Sequence, residues 1–147
     1  MIEASNVMDL GTPGPMRDAL VASVLSGEKT ATSSLLAQYE DSGEPLPRLG
    51  RQELIDSEEQ PMACVEIVAV DVIRLGDVDL QLALEEGEGF ESVAQWRAAH
   101  ERFWAEEVRP GLCDPTALPL DDDTRVVVER FRLVGPGPAP QASGASA

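Results

Sequence analysis

Lysine is almost missing from this chain. Of eleven basic residues in 147, ten are arginine, and Lys29 is the one lysine. Histidine is represented by His100 alone, and the two cysteines, Cys64 and Cys113, are too far apart for a CxxC pair. That scarcity excludes a zinc site of the usual cysteine/histidine kind, and no metal or other cofactor is expected. Two isolated thiols fit a reducing, cytoplasmic setting. The longest apolar run falls far short of the roughly 20 residues a membrane span requires. The N-terminus has no basic flank followed by an apolar segment, so no signal peptide is expected.

Positive charge is scarce as well. With 27 acidic residues against 11 basic ones the net charge is −16. Nonspecific binding to duplex nucleic acid comes from neutralising phosphates, and this composition disfavours it. An uncharged small molecule meets no such barrier, and a local arginine-lined pocket is compatible with one nucleotide.

What remains is ordinary globular material, 43% hydrophobic and long enough to bury one core. Residues 1–15 read as a flexible arm, 16–134 as a single domain, and 135–147, rich in Gly, Pro, Ala and Ser, as a disordered tail. Pro15 opens a helix carrying Met16, Leu20, Val21, Val24 and Leu25 at helical spacing, and Gly27 stops it. The run Met62 to Leu75 is β-branched and apolar on both faces. It predicts a strand buried on both sides and, being overlong, bent or bulged. Asp79 to Glu86 reads as a short helix, Ser92 to Val108 as a longer one, and Thr124 to Val134 as the last strand. On the longer helix Val93, Trp96, His100, Phe103 and Trp104 form one stripe, either core or a platform for stacking a base. The order of elements indicates α+β with a mixed sheet.

The stretch Gly27-Glu28-Lys29-Thr30-Ala31-Thr32 carries the chemistry. A lysine, unlike arginine, can be made to give up its proton. Lys29 and Thr32 would point to opposite faces of a plain strand. For them to meet, the segment must turn or be locally helical. Glu66, mid-run in an apolar strand, must be paired with a cation or open into a pocket.

Gly27-x-Lys29-x-x-Thr32 after an amphipathic helix resembles the signature of the ASCH family. The long strand with Glu66, the Ala83-x-x-Glu86-Gly87-Glu88-Gly89 stretch and the terminal Val-Val-Glu-Arg-Phe-Arg strand extend the likeness over residues 16–134. The resemblance implies a PUA-like mixed β-barrel with flanking helices and a ligand that is RNA-derived or nucleoside-like. Small bacterial members include an amidohydrolase that deacetylates acetylated cytidine and a ribonuclease. Carried over from that amidohydrolase, the motif lysine, threonine and later glutamate fall on Lys29, Thr32 and Glu86, with Glu66 and Glu88 as other acids able to face Lys29. The sequence departs from the amidohydrolase in a longer insertion at 33–48 and in Arg51 after Gly50, where aspartate is common.

Three readings stay open. In amide hydrolysis of an acylated cytidine, Thr32 is the nucleophile, Lys29 the base, and Glu86 or Glu66 the proton shuttle. Gly27, Thr30, Tyr39, Arg51 and Trp96 are then placed on the substrate side. In a binding module for a nucleotide or short RNA, with a ribonuclease as its catalytic relative, Lys29 and Arg51 or Arg74 hold phosphate while Trp96 or Tyr39 stacks a base. In a structural reading, Lys29 pairs with Glu66 or Glu86 in an inert barrel.

Overall fold

The long apolar run becomes β4 (Pro61–Arg74), the strand around which the sheet is assembled. A computed structural model describes residues 7–117 and 119–136. In chain order the elements are β1 (Val7–Met8), α1 (Pro15–Ser26), β2 (Ala31–Leu35), α2 (Leu36–Ser42), β3 (Gly50–Ile55), β4, α3 (Leu80–Glu85), α4 (Val93–Phe103) and β5 (Arg125–Pro136). One π-helical turn, Trp104–Val108, prolongs α4. The sheet order is β1-β3-β4-β5-β2, with β1 parallel to β3 and the other pairs antiparallel. The fold is thus α+β and PUA-like. Among the described residues, β1 and β2 end the sheet without pairing to each other, so the expected barrel is an open sheet.

Burial along β4 alternates: Ala63, Val65 and Ile67 are inside, and Glu66 between them is not. The strand expected to be buried on both faces therefore has one dry face. The expected irregularity is present. Register against β5 slips between Ile67 and Ala69, leaving Val68 as an extra residue, half exposed. A second slip falls between Cys64 and Val65. Such bulges bend a sheet and increase its twist. Two apolar clusters result. One joins Ala31, Leu35, Val126 and Val128 to Trp96 and Trp104; the other joins Met8, Leu10, Leu54, Val65 and Phe131 to Val21 and Val24 of α1.

The flexible arm expected over 1–15 is fixed from residue 7 onward. Met8 and Leu10 are buried, and Arg17, itself buried, donates to the carbonyls of Leu10 (2.8 Å) and Gly11 (3.3 Å). An arginine clamp that satisfies main-chain acceptors is a strong reason for a segment without secondary structure to stay put. Residues 1–6 lie outside the described residues, as do 137–147. Gly135 and Pro136, placed in the expected tail, end β5.

Two loops meet where the motif begins. α1 ends at Gly27 in the left-handed conformation (φ 87°), and the amides of Glu28 and Lys29 both donate to the Ser23 carbonyl at 3.0 Å. The chain then runs against residues 85–88. Thr30 N–H donates to the Glu85 carbonyl (2.7 Å), and Ser23 Oγ to the Gly87 carbonyl (2.7 Å). Gly87 has φ 67°, and a Cβ there would lie 2.6 Å from the Glu28 oxygen and the Lys29 nitrogen. At Gly89, also left-handed, a Cβ would meet nothing. Left-handed backbone costs a non-glycine residue about 1–3 kcal/mol at most. Gly87→Ala adds a backbone clash to that cost, so it should lower stability clearly more than Gly89→Ala. Paired melting curves check this, and equal losses would refute the close approach of the two loops.

Candidate functional site

Lys29 is 2% exposed, which demands that its charge be answered. Four oxygens surround Nζ. It donates to the main-chain carbonyls of Ala31 (2.9 Å) and Glu86 (3.2 Å), and it faces Glu88 Oε2 at 3.5 Å and Glu86 Oε1 at 3.7 Å. All four are acceptors, an environment made for an ammonium group. Lys29 stands here as a cation.

Glu86, 1% exposed, closes α3 and is used on both oxygens. Oε2 accepts from Ser33 Oγ (2.7 Å), and Oε1 lies 3.2 Å from His100 Nε2. His100 Nδ1 sits 2.9 Å from the Trp96 carbonyl. That carbonyl can only accept, so Nδ1 carries a proton, and an ionised Glu86 asks the same of Nε2. Both contacts are satisfied together by the imidazolium. Burial opposes charge on Glu86, but the His100 hydrogen bond and the Lys29 charge outweigh it and hold the carboxyl below its usual range. Burial likewise opposes the His100 cation, and the bond to Glu86 outweighs it and raises the imidazole. The ring stacks on Trp96 at 4.0 Å between centroids and meets Trp104 edge-on at 5.3 Å.

Ligand atoms of Glu86, Glu88 and His100 fall within 4.8 Å of one another, a spacing that suits a cation. The Lys29 ammonium, beside both carboxylates, already supplies positive charge there.

Beside this cluster lies a cavity of about 120 Å³ lined by Lys29, Thr32, Ser33, Glu86, Glu88 and His100. It adjoins a larger one of about 400 Å³, and Gly11, Thr32, Ser33, Phe103 and Trp104 line both. Lys29 and Thr32 thus share a hollow even though Thr32 is in a strand, because Lys29 precedes β2 and reaches in from the loop. Ser33 alternates onto the face of Ala31 and Leu35, and Thr32 onto the other. The larger cavity also takes in Asp9, Tyr39, Glu44, Gln52, Glu107 and Glu129. Four carboxyl groups face it, and among its lining residues there is no lysine or arginine.

The remaining residues singled out from sequence are placed as follows. Tyr39 lines the larger cavity, and its hydroxyl pairs with Ser34 Oγ at 3.1 Å. Burial pushes its phenol upward. Gly27 and Thr30 are exposed and shape the loop; neither lines either cavity. Arg51 is exposed, because on β3 it alternates with the inward Gln52, and it stands opposite Glu66 across the β3–β4 pair. Glu66 is ion-paired with Arg132 away from Lys29, so Glu86 and Glu88 are the acids that face the ammonium. Trp96 is 0% exposed and belongs to the core, where it supports His100. It stacks no ligand.

Sequence reasoning passed over Ser33, left His100 as a packing residue, and did not single out Glu129. Glu129 is directly opposite Thr32 in the β2–β5 pairing and is 9% exposed. Burial raises its carboxyl to about 7, the negative charge of Asp9 adds to this, and Lys29 counteracts it. The available signal was one acid inside Val126-Val127-Val128-Glu129.

An α+β, PUA-like domain with a buried lysine beside a threonine-lined cleft is the class these features define. The ASCH domain family model matches residues 6–135, and the chain belongs to that family. A protein of Enterococcus faecalis V583, described under the family name DUF984, is 27% identical over 98% of this chain and 84% of its own, with a TM-score of 0.79. The ASCH domain from Lactobacillus crispatus JV V101 is also 27% identical, over 87% of this chain and 78% of its own, with a TM-score of 0.75. No curated protein matches the sequence. None of the helices among the described residues is long and apolar enough to cross a membrane.

Glu129 has a stability consequence with a definite sign. Its folded-state pKa lies above the ordinary carboxyl value of 4.5, so the folded form holds the proton more tightly than the unfolded one. Stability is therefore lost as pH rises from about 4.5 to about 7. Glu129→Gln removes that loss. In urea titrations the variant should match the wild type near pH 4 and exceed it by up to about 3 kcal/mol at pH 8. A difference that does not grow with pH would contradict the raised carboxyl.

Proposed function

We propose that this ASCH protein binds an unphosphorylated, nucleoside-like molecule in the larger cavity and hydrolyses an amide on it, with Thr32 as the nucleophile. An acylated cytidine is the substrate that best fits the family resemblance and the uncharged character the cleft calls for. The observation that carries this reading is the position of Thr32. Its side chain lies where the two cavities adjoin, with the Lys29 ammonium in the smaller one. No hydrogen bond among the described residues holds its hydroxyl.

In this scheme the acyl carbon sits against Thr32 Oγ and the nucleobase occupies the larger cavity near Tyr39 and Trp104. Lys29 contributes positive charge toward the oxyanion as the carbonyl is attacked; such fixed charge in a water-poor site is a large part of catalysis. Glu88 and Glu86, the latter fixed by Ser33 and His100, hold that ammonium in place. Hydrolysis by Lys29 as a neutral base is not supported, since every atom it contacts is an acceptor.

The acid-rich lining favours a small uncharged ligand over short RNA. Asp9, Glu44 and Glu107 repel phosphate at close range, Glu129 joins them once ionised, and no cation lines that cavity to offset them. Phosphate recognition by Arg51 and Arg74 is likewise unsupported, because neither lines the cavity and Arg74 is bound to Asp77 and Asp123.

The test is release of cytidine from its N-acetylated form, with wild type and Thr32→Ala side by side. Thr32→Ala should lose at least about 100-fold in kcat/KM, while the 5′-phosphorylated substrate should bind more weakly than the free nucleoside. Equal turnover by both proteins would remove the nucleophile. Tight binding of short RNA at moderate salt would favour an RNA-binding module instead.

A further inference from the structure

We infer that Glu129 is the proton carrier of this site, taking the proton from the Thr32 hydroxyl and delivering it to the leaving amine. The inference rests on the amide hydrolysis proposed above and supplies the base that Lys29 does not. Thr32 and Glu129 are directly opposed across the antiparallel β2–β5 pair, so their side chains leave the same face of the sheet. Cβ atoms in such pairs are roughly 4.5–5.5 Å apart, within reach for a carboxyl and a hydroxyl. Both side chains line the larger cavity.

The acids of the smaller cavity are committed elsewhere. Glu86 is held on both oxygens by Ser33 and His100, and Ser33 stands on the opposite face of β2 from Thr32. Glu88 is paired with Lys29. Glu129 is about nine-tenths buried, lines the cavity, and takes part in no ion pair among the described residues. A largely buried carboxyl that faces a cavity and is tied up in no ion pair is a candidate for a working group.

The proton balance is complete. As Thr32 Oγ bonds to the acyl carbon, its proton passes to ionised Glu129, and the carbonyl electrons move onto oxygen. When the tetrahedral adduct collapses, the C–N bond breaks and neutral Glu129 protonates the amine, which departs. Water then attacks the Thr32 ester, Glu129 takes its proton, and the C–Oγ bond breaks with that proton returned to Thr32. Amide plus water gives acid plus amine, and both residues are restored.

Burial is the main influence on the ionisation of Glu129 and disfavours its charge; Asp9 disfavours it further, and Lys29 favours it. Tyr39, Glu44 and Glu107 share the cavity wall with it. A carboxyl that ionises near 7 is well matched to moving a proton at neutral pH.

The experiment is the pH profile of kcat/KM for N-acetylated cytidine, from about pH 5 to about pH 9, in wild type, Thr32→Ala, Glu129→Gln and Glu129→Asp. Wild-type activity should rise with pH through one ionisation near 7. Glu129→Gln should lower kcat by about 100-fold or more, with KM little changed, and should abolish that rise. Glu129→Asp keeps the ionisable group on a shorter stem, so it should retain the rise at reduced rate. Should the Gln variant fail to fold, the Asp variant decides: full activity in it overturns the inference. A folded Gln variant with wild-type kcat, or with the rise intact, overturns it too, while loss of activity in Thr32→Ala would then leave the hydrolase reading standing. Equal activity, or none, in wild type and Thr32→Ala would overturn both.

Discussion

One buried ammonium organises the site. An unpaired charge of that kind would be expensive enough to unfold a marginally stable domain. Lys29 is tolerated because two carbonyls and two carboxylates converge on it from three directions: the start of β2, the end of α3, and the loop that follows. Each partner is in turn fixed. Gly27 lets the chain reverse after α1, and Gly87 lets the loops at 27–30 and 85–88 close to hydrogen-bonding distance. Buried ion pairs seldom add much to stability when compared with an apolar replacement. A lysine kept there, in a chain that otherwise uses arginine, is better explained by what its charge does to the adjoining cavity.

The same geometry shows what a linear reading can and cannot reach. The helix Pro15–Ser26, the long bulged strand and the two later helices were legible because periodicity, Pro at a helix start and Gly at its end are local signals. The Gly27-x-Lys29-x-x-Thr32 motif and the acid at Glu86 were legible through the resemblance to the ASCH signature. β2 was not. Thr32, Ser33 and Ser34 form a polar segment with no alternation of hydrophobicity, and it is a strand only because β5 pairs with it. The role of Glu129 depends on that pairing and was invisible for the same reason. His100 could be placed on its helical stripe, but its bond to Glu86 joins residues 14 apart across a loop. The N-terminal segment misled because its order comes from Arg17, a contact no periodicity announces.

Charge argues at two scales, and they agree. Across the chain, −16 works against any polyanion. Within the cleft, Asp9, Glu44, Glu107 and Glu129 repeat that bias where a ligand would sit. The positive groups Lys29 and His100 stand on the smaller cavity and are balanced by Glu86 and Glu88. A PUA-like frame associated with RNA thereby carries a pocket lined by carboxyl groups, which is the basis for proposing an uncharged ligand. The frame supplies the cleft, and the side chains decide against the phosphate backbone.

That bias also explains why Glu129 sits where it does. A carboxyl buried beside Asp9 is a cost to the fold that grows as pH rises from about 4.5 to about 7. Glutamine in its place would relieve the cost with hardly any change of shape, so stability alone gives no reason for the acid. The benefit must lie in a property that glutamine lacks, which is the capacity to exchange a proton. Proteins commonly concentrate such unfavourable groups at working sites. Thr32 is the hydroxyl directly opposite Glu129 in the β2–β5 register, and both line the same cavity, which is why the proposed exchange pairs them.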